Sequence, residues 1–243
     1  MTKQDLLEIS NLDDLRTALG NFAPTALILD EELLAHIARL CDGFWMHSGN
    51  PKQPHAILTS NLHSNGFLSG PKYLQYPEIA GFFAEQTIRK LPPDVKALKI
   101  DTVVGSAYAA ITFAWEVARL LGARHIHTEK EGKSQALLRF DLSPGERVLR
   151  VEDLITTTST VASVTEALVK RCAPELPNFA QAILTLVSRS AEKEYAGDPI
   201  YHGVYFNIEN FDPATCPLCA AGSEAIRPRA TPENWARLTA PSA

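Results

Sequence analysis

Residues Glu146 to Lys170 read ERVLRVEDLITTTSTVASVTEALVK. An apolar run (Val148, Leu149, Val151) leads to two adjacent carboxylates, Glu152 and Asp153, and then to five consecutive hydroxyl residues, Thr156, Thr157, Thr158, Ser159 and Thr160. Beyond them Val161, Val164, Ala167 and Leu168 recur at helical spacing, so the pattern predicts a strand, a hydroxyl-rich turn and a helix. The first N–H groups of a helix have no internal partners and point outward, and the helix dipole adds a partial positive charge. With hydroxyl donors beside them, such a turn is suited to hold a phosphate. Glu152 and Asp153 would repel that phosphate, but they suit neutral hydroxyl groups such as those of a ribose joined to it. The stretch reads as a cradle for a ribose 5-phosphate, set against the plainer reading of a strand followed by an ordinary capped helix.

Outward from this stretch the alternation is regular. Ile100 to Val104 is a short apolar strand, Gly105 to Ala109 a tight loop, and Ala110 to Leu121 a helix closed by Gly122. Strands follow at Arg124 to Thr128, Glu146 to Ile155 and Ala180 to Val187, with the helix Val161 to Cys172 between the last two. Strand and helix in turn imply an α/β fold, a parallel sheet with helices on both faces joined by right-handed crossovers. Ligands in such sheets bind beyond the carboxyl ends of the strands, where the Gly105 loop, the Thr156 turn and the residues after Val187 all fall.

The chain has 243 residues, enough for one good core with a small appended segment. It lacks a run of about 18 apolar residues and begins MTKQDLLEIS, without the apolar core of a signal peptide; the expectation is a cytoplasmic protein that does not engage a membrane. Residues 1–50 hold eight acidic and three basic side chains, a net charge equal to the −5 of the whole chain, which argues against a nucleic-acid-binding arm. That region reads as helical: one helix carries Leu6, Leu7, Ile9, Leu12, Leu15 and Leu19 as far as Gly20, and a second runs from near Glu31 to Cys41. His36 and His47 read as surface or packing residues. A further amphipathic helix spans Pro77 to Leu91.

The order of apolar strand, two acidic residues, two apolar residues and a threonine-rich turn resembles the phosphoribosyl diphosphate (PRPP) motif of type I phosphoribosyltransferases, and the surroundings look most like orotate phosphoribosyltransferase. The resemblance covers roughly residues 56–190, with a weaker echo in the tail. It implies that Glu152 and Asp153 hold the ribose hydroxyls and that Thr156, Thr157, Thr158, Ser159 and Thr160 hold the 5-phosphate, although the family usually has glycine where Thr158 stands. The loop GSAYAAI, from Gly105, resembles the family's pyrophosphate loop, so that Ser106, Ala107 and Tyr108 would contact PRPP; Ala109 stands at a family lysine. The segment HTEKEGKSQALLRF resembles the mobile flap, with Lys130 and Lys133 as the cations on the diphosphate. Glu129 replaces an arginine there, Gln135 a histidine and Ala136 a glycine, and Arg139 is the nearest candidate to restore a charge. AILTSNLHSNGF, from Ala56, resembles the segment that covers the base: Ser60, Ser64 and Phe67 fit its spacing, Asn61 replaces its glycine, and Thr59 its lysine. Arg189 matches an arginine that contacts the base.

The chain is expected to divide into a helical N-terminal extension at 1–52, which the resemblance leaves unexplained, a phosphoribosyltransferase-like domain with a small hood at 53–210, and a tail at 211–243. The tail contains Cys216 and Cys219, a CxxC pair spaced for metal or redox chemistry. Cys41 and Cys172 stand alone and no second pair completes a zinc site, so a turn with two free thiols is the simpler reading, and a metal would require ligands from a partner chain.

As function, the resemblance implies the transfer of ribose 5-phosphate from PRPP, with Mg2+ bound to its diphosphate, to a nitrogenous base, orotate or a relative of it, in a homodimer whose flap reaches toward the neighbouring site. The departing diphosphate would be held by Lys130 and Lys133, and the cation-like ribose by Glu152 and Asp153. The loss of usual family cations at Thr59, Ala109 and Glu129 supports an alternative, a non-catalytic PRPP sensor of the same fold acting on a protein partner.

Overall fold

The computed structural model describes residues 1–21, 26–132 and 134–240. Three helices come first: α1 (Lys3–Leu7), α2 (Leu12–Gly20) and α3 (Glu31–Leu40). The single helix expected up to Gly20 is two, because Asn11 is extended and its side chain accepts a hydrogen bond from the Asp14 amide, starting a new helix after the first has ended at Leu7. Next come β1 (Phe44–Met46), β2 (His55–Ile57), β3 (His63–Ser64), β4 (Gly66–Leu68), α4 (Gly70–Leu74), α5 (Pro77–Arg89) and α6 (Pro93–Lys96). The central part contains β5 (Thr102–Gly105), α7 (Ala110–Leu121), β6 (Arg124–His127), the hairpin β7 (Glu129–Glu131) and β8 (Ser134–Ala136), β9 (Arg147–Ile155), α8 (Ser159–Cys172) and β10 (Asn178–Ser188). After it come β11 (Glu194–Tyr195), β12 (Asp198–Tyr205), β13 (Asn210–Phe211), α9 (Pro217–Ala220), β14 (Ala225–Ile226) and α10 (Pro232–Thr239).

The main sheet has the order β11-β12-β10-β9-β5-β6, parallel throughout except for the edge strand β11. Its two faces are distinguished by strand alternation. Val103, Leu149, Val151, Leu184 and Leu186 point into a core shared with α3, α5 and α7, and Val104 and Val148 point toward Val164 and Leu168 of α8. The parallel α/β sheet with helices on both faces is therefore as its sequence pattern reads. Leu6, Leu15, Leu33, Leu34 and Ile37 of the N-terminal helices are fully buried in the first of these cores, so the helices are part of its packing. None of the described helices is long and apolar enough to cross a membrane.

Arg150, a charge within the otherwise apolar β9, is accounted for by the packing beneath α8. Its guanidinium is buried, pairs with Asp198 of β12, donates to Thr165 Oγ1 at 3.0 Å, and lies 4.5 Å from the centre of the Phe179 ring. Burial holds its pKa below the usual arginine value, and the bond to Asp198 opposes that.

A second, smaller sheet stands apart, with the order β13-β3-β2-β14. The two inner strands come from residues 55–64, the outer two from the tail. The C-terminal residues thus complete the hood: Trp235 and Leu238 of α10 pack with Trp45, Ala56 and Ile226 in a core of their own.

Candidate active site

The carboxyl edge of the main sheet brings together three of the stretches singled out in the sequence. β9 ends at Ile155, β5 at Gly105, and β10 at Ser188, and the Arg189 amide donates to the Ile155 carbonyl at 2.8 Å. Gly105 is required where it is: a Cβ there would lie 2.7 Å from the Ala114 Cβ, so only glycine lets α7 start so close to the strand. The peptide between Ala107 and Tyr108 is cis; Ser106 and Ala107 are buried and Tyr108 is exposed.

Glu152 and Asp153 are successive strand residues and point to opposite faces. Glu152 is buried and accepts a hydrogen bond from Ser106 Oγ at 2.7 Å. Burial pushes its pKa up to about 8; the Ser106 hydrogen bond opposes the rise, the neighbouring Asp153 adds to it, and the charge of Lys130 on β7 opposes it. Asp153 lies against Gly70 at the start of α4, so close that a Cβ on Gly70 would come within 2.2 Å of its Oδ2. Burial pushes Asp153 up to about 6, against backbone hydrogen bonds from its own amide and that of Leu154. Both carboxyls are thus set in a site that disfavours their charge until a donor or a cation joins them.

The five hydroxyl residues form the turn between β9 and α8. Thr158 occupies the N-cap position but its side chain caps nothing, which leaves the first amides of a fourteen-residue helix without a partner from that residue. Thr157 Oγ1 and Ser159 Oγ are 2.8 Å apart. The Thr158 amide donates to the Glu192 carboxylate at 2.9 Å, so an anion of the chain itself sits on the turn. Neither Glu192 nor Gly70 stood out in the sequence. A glutamate in the polar segment 189–194 gives no signal of reaching the turn, and a glycine after serine reads as a plain helix start.

The hairpin β7–β8 carries Lys130, exposed on its strand, near enough for its charge to act on Glu152. Lys133 lies outside the described residues. Gln135 is buried: it accepts from Thr128 Oγ1 at 2.8 Å, donates to the Ala107 carbonyl at 3.3 Å, and its amide donates to Ser163 Oγ at 2.9 Å. The Gln135 side chain ties the hairpin to the Ser106–Tyr108 loop, and its backbone N–H ties it to α8. Arg139 pairs with Glu129 at 2.9 Å, so its charge is engaged on the hairpin itself.

The candidates for contact with a base lie in or against the hood. Arg189 donates from Nη2 to the Ile208 carbonyl at 3.1 Å and to Asn210 Oδ1 at 2.9 Å, tying the sheet to the hood strand β13. Its Nε is buried without a partner, and burial brings its pKa down to about 10. Ser60 is exposed in the β2–β3 turn. Next to it Asn61 has a φ of 66°, a left-handed conformation that asparagine tolerates where glycine is usual, and its Oδ1 accepts from Arg227 at 2.6 Å. Ser64 is buried and donates to the Glu209 carbonyl at 2.8 Å. Phe67 packs edge-on against Trp235, with ring centres 5.8 Å apart, and the Arg229 guanidinium lies 5.9 Å from its ring. That ring belongs to the small core between hood and tail.

No family model matches the chain. Among curated proteins it is similar to the orotate phosphoribosyltransferase of Caldicellulosiruptor saccharolyticus, 38% identical over 175 residues that span 72% of this chain and 87% of the relative. Among solved structures it resembles Leishmania donovani UMP synthase, with a TM-score of 0.53, 18% identity, and 85% of this chain covering 41% of that one. The orotate phosphoribosyltransferase of Aeropyrum pernix gives a TM-score of 0.52 at 18% identity, over 72% of this chain and 94% of that one. The solved structures share the fold, and the curated relatives, named as transferases, lend the sensor reading no support. Identity of this order over most of both chains, on a sheet whose edge carries the acid pair and the hydroxyl turn, means that the chain belongs to the orotate phosphoribosyltransferase family and is a phosphoribosyltransferase.

Proposed function

We propose that the acceptor for the phosphoribosyl group of PRPP is orotate or a closely related planar acidic base, with diphosphate released. The phosphoribosyl half of the reading is carried by the buried pair Glu152 and Asp153, shortly before a helix N-terminus that its own N-cap side chain leaves open, and the acceptor by Arg189, whose buried Nε has no partner. Ribose hydroxyls donate to the two carboxylates, which ionise as they gain those donors, and the 5-phosphate takes the amides and hydroxyls of Thr156, Thr157, Thr158, Ser159 and Thr160. Charge that develops on the ribose ring as the diphosphate leaves is stabilised by the same carboxylates, held in a site of low dielectric. Ser106 keeps Glu152 oriented, and the backbone of Ala107 and Tyr108 faces the diphosphate.

Lys130 supplies positive charge to that leaving group, and Lys133 is assigned the same role by its place in the sequence. The donors at hand, carboxylate and hydroxyl oxygens, fit a hard cation such as the Mg2+ that accompanies PRPP; bound there, it neutralises charge on the diphosphate. The hairpin that carries Lys130 closes over the site and excludes water that would otherwise hydrolyse PRPP. A base with a carboxylate matches Arg189, whose unpartnered Nε gives it a donor to spare. By resemblance the enzyme works as a homodimer.

The test is diphosphate release by the purified chain with PRPP and Mg2+, offered orotate and a panel of neutral purines and pyrimidines. Release dependent on orotate, reduced about a hundredfold or more in Asp153→Asn, is the expected result. Release with a neutral base alone would overturn the acceptor and keep the transfer. Orotate-dependent release that survives in Asp153→Asn would overturn the role of the acid pair.

A further inference from the structure

The hood carries a second constellation that phosphoribosyl transfer does not use. His55 on β2, His63 on β3, and Cys216 and Cys219 at the start of α9 converge so that one ligand atom of each lies within 4.8 Å of all the others. The fold produces this convergence by ordinary means. Ile57 pairs with His63 across the β2–β3 hairpin, so His55 and His63 are diagonal neighbours on one face. β14 then joins β2 in parallel with Ala225 opposite His55, and β13 joins β3 with Phe211 opposite His63, which brings the intervening Cys-Pro-Leu-Cys turn over the two rings.

Four of the six edges lie within about 0.4 Å of those of a coordination tetrahedron. With zinc bond lengths of about 2.0–2.1 Å to nitrogen and about 2.3 Å to sulfur, its edges measure about 3.4 Å between nitrogens and about 3.6 Å between nitrogen and sulfur. Here His55 Nε2 and His63 Nδ1 are 3.0 Å apart, Cys216 Sγ is 3.6 Å and Cys219 Sγ 3.5 Å from His55 Nε2, and Cys219 Sγ is 3.3 Å from His63 Nδ1. At His55 the outer hydrogen bonds select the tautomer that a metal requires. Ser223 Oγ donates its one proton to the Gln53 carbonyl at 2.6 Å and so accepts from His55 Nδ1–H at 2.9 Å, leaving the lone pair of Nε2 aimed at the cluster. His55, His63 and Cys216 are buried and Cys219 sits at the solvent edge, which gives an ion its way in.

We propose that His55, His63, Cys216 and Cys219 bind one zinc ion, which pins the tail to the hood. Four protein ligands leave no open position, so the site is structural. Two thiolates and two neutral imidazoles around Zn2+ make a neutral unit that suits burial, and binding releases the two thiol protons. The CxxC pair therefore finds its remaining ligands in its own chain, where the sequence had pointed to a partner chain or to free thiols. The ion would hold β13 and β14 against the hairpin whose turn carries Ser60 and Asn61.

The experiment is metal analysis of the full chain, purified without chelator and supplied with Zn2+. About one zinc per chain is expected, falling to about a tenth or less in His63→Gln and in Cys219→Ser, with Cys172→Ser unchanged. Replacing the ion by Co2+ provides a readout that survives if a variant fails to fold: the wild-type chain should show the visible bands of tetrahedral cobalt with a thiolate charge-transfer band. Wild-type chain that holds no stoichiometric metal, variants that retain it in full, octahedral cobalt bands, or a Cys216–Cys219 disulfide in the purified protein would each overturn the proposal.

Discussion

Replacing Glu152 by glutamine should make the ligand-free protein more stable in alkaline solution while impairing it as an enzyme. The carboxyl is buried, with its pKa pushed up to about 8 from an ordinary value of 4.5, so in the free protein it keeps its proton where the unfolded chain has lost it. A carboxyl raised on folding contributes its stability in full below the unfolded pKa and loses it as pH rises through the folded one, so wild-type stability falls between about pH 4.5 and pH 8. The gap of about 3.5 pH units corresponds to about 5 kcal/mol at about 1.4 kcal/mol per unit. Water and cations that reach the cleft relieve part of this, and a gain of about 1–3 kcal/mol for Glu152→Gln above pH 8 is expected. Glutamine has nearly the same shape and can still accept from Ser106 Oγ, so the comparison isolates the charge. Urea unfolding of both proteins at about pH 5 and about pH 8.5 reads the difference directly. It should be small at the lower pH and large at the higher. A difference that is equal at both, or a variant less stable than wild type at the higher pH, would refute the burial argument.

Three further perturbations test individual contacts. Gly70→Ala places a Cβ on the Asp153 carboxylate and should cost about 1–3 kcal/mol in urea unfolding while raising KM for PRPP, whereas an unchanged KM would show that the carboxylate has room to move. Asp198→Asn leaves the Arg150 guanidinium buried beside a neutral partner and should destabilise by about 3 kcal/mol in the same assay; a loss near zero would mean that Thr165 and Phe179 suffice. Glu192→Ala frees the Thr158 amide and should lower KM for PRPP about threefold to tenfold, and a higher KM would show that the carboxylate helps to hold the turn in shape.

Most of the parallel sheet was legible because its central strands announce themselves locally. β5, β9 and β10 are apolar runs bounded by turns, and Gly122 marks the end of α7 as a left-handed C-cap residue with φ of 65°. The acid pair and the hydroxyl turn were legible for the same reason, since they are contiguous. Features that depend on contacts distant in sequence were not. β12 is a mixed run, DPIYHGVY, whose place beside β10 comes from pairing along the sheet. Arg150 looked anomalous until Asp198, 48 residues later, came to lie beside it. His55 and His63 gave no sign of a metal site because their spacing across a hairpin resembles no standard ligand motif, and Cys216 lies 161 residues beyond His55. The tail looked like an appendage because two-residue strands such as β13 and β14 carry no periodicity to detect.

In the free protein each part of the site holds a group in a state opposite to the one substrate binding requires. Glu152 and Asp153 are raised by burial toward their protonated forms, the Thr158 amide is taken by Glu192, and Arg189 Nε has no acceptor. On the proposed reading these separate costs are relieved together: ribose hydroxyls supply donors to the acid pair, the 5-phosphate displaces Glu192, and a carboxylate on the base meets Arg189. Interactions that are incomplete in the free protein are a reserve that only the bound partners can complete. A neutral nucleobase leaves the Arg189 donor buried and unsatisfied, at a cost of about 1–3 kcal/mol or more for a charged group. Discrimination against neutral bases should therefore be largest in the wild type and should shrink in Arg189→Gln, with the orotate reaction losing more of its kcat/KM than any residual reaction with a neutral base. Equal losses for both would mean that Arg189 serves only to join the sheet to the hood through Ile208 and Asn210.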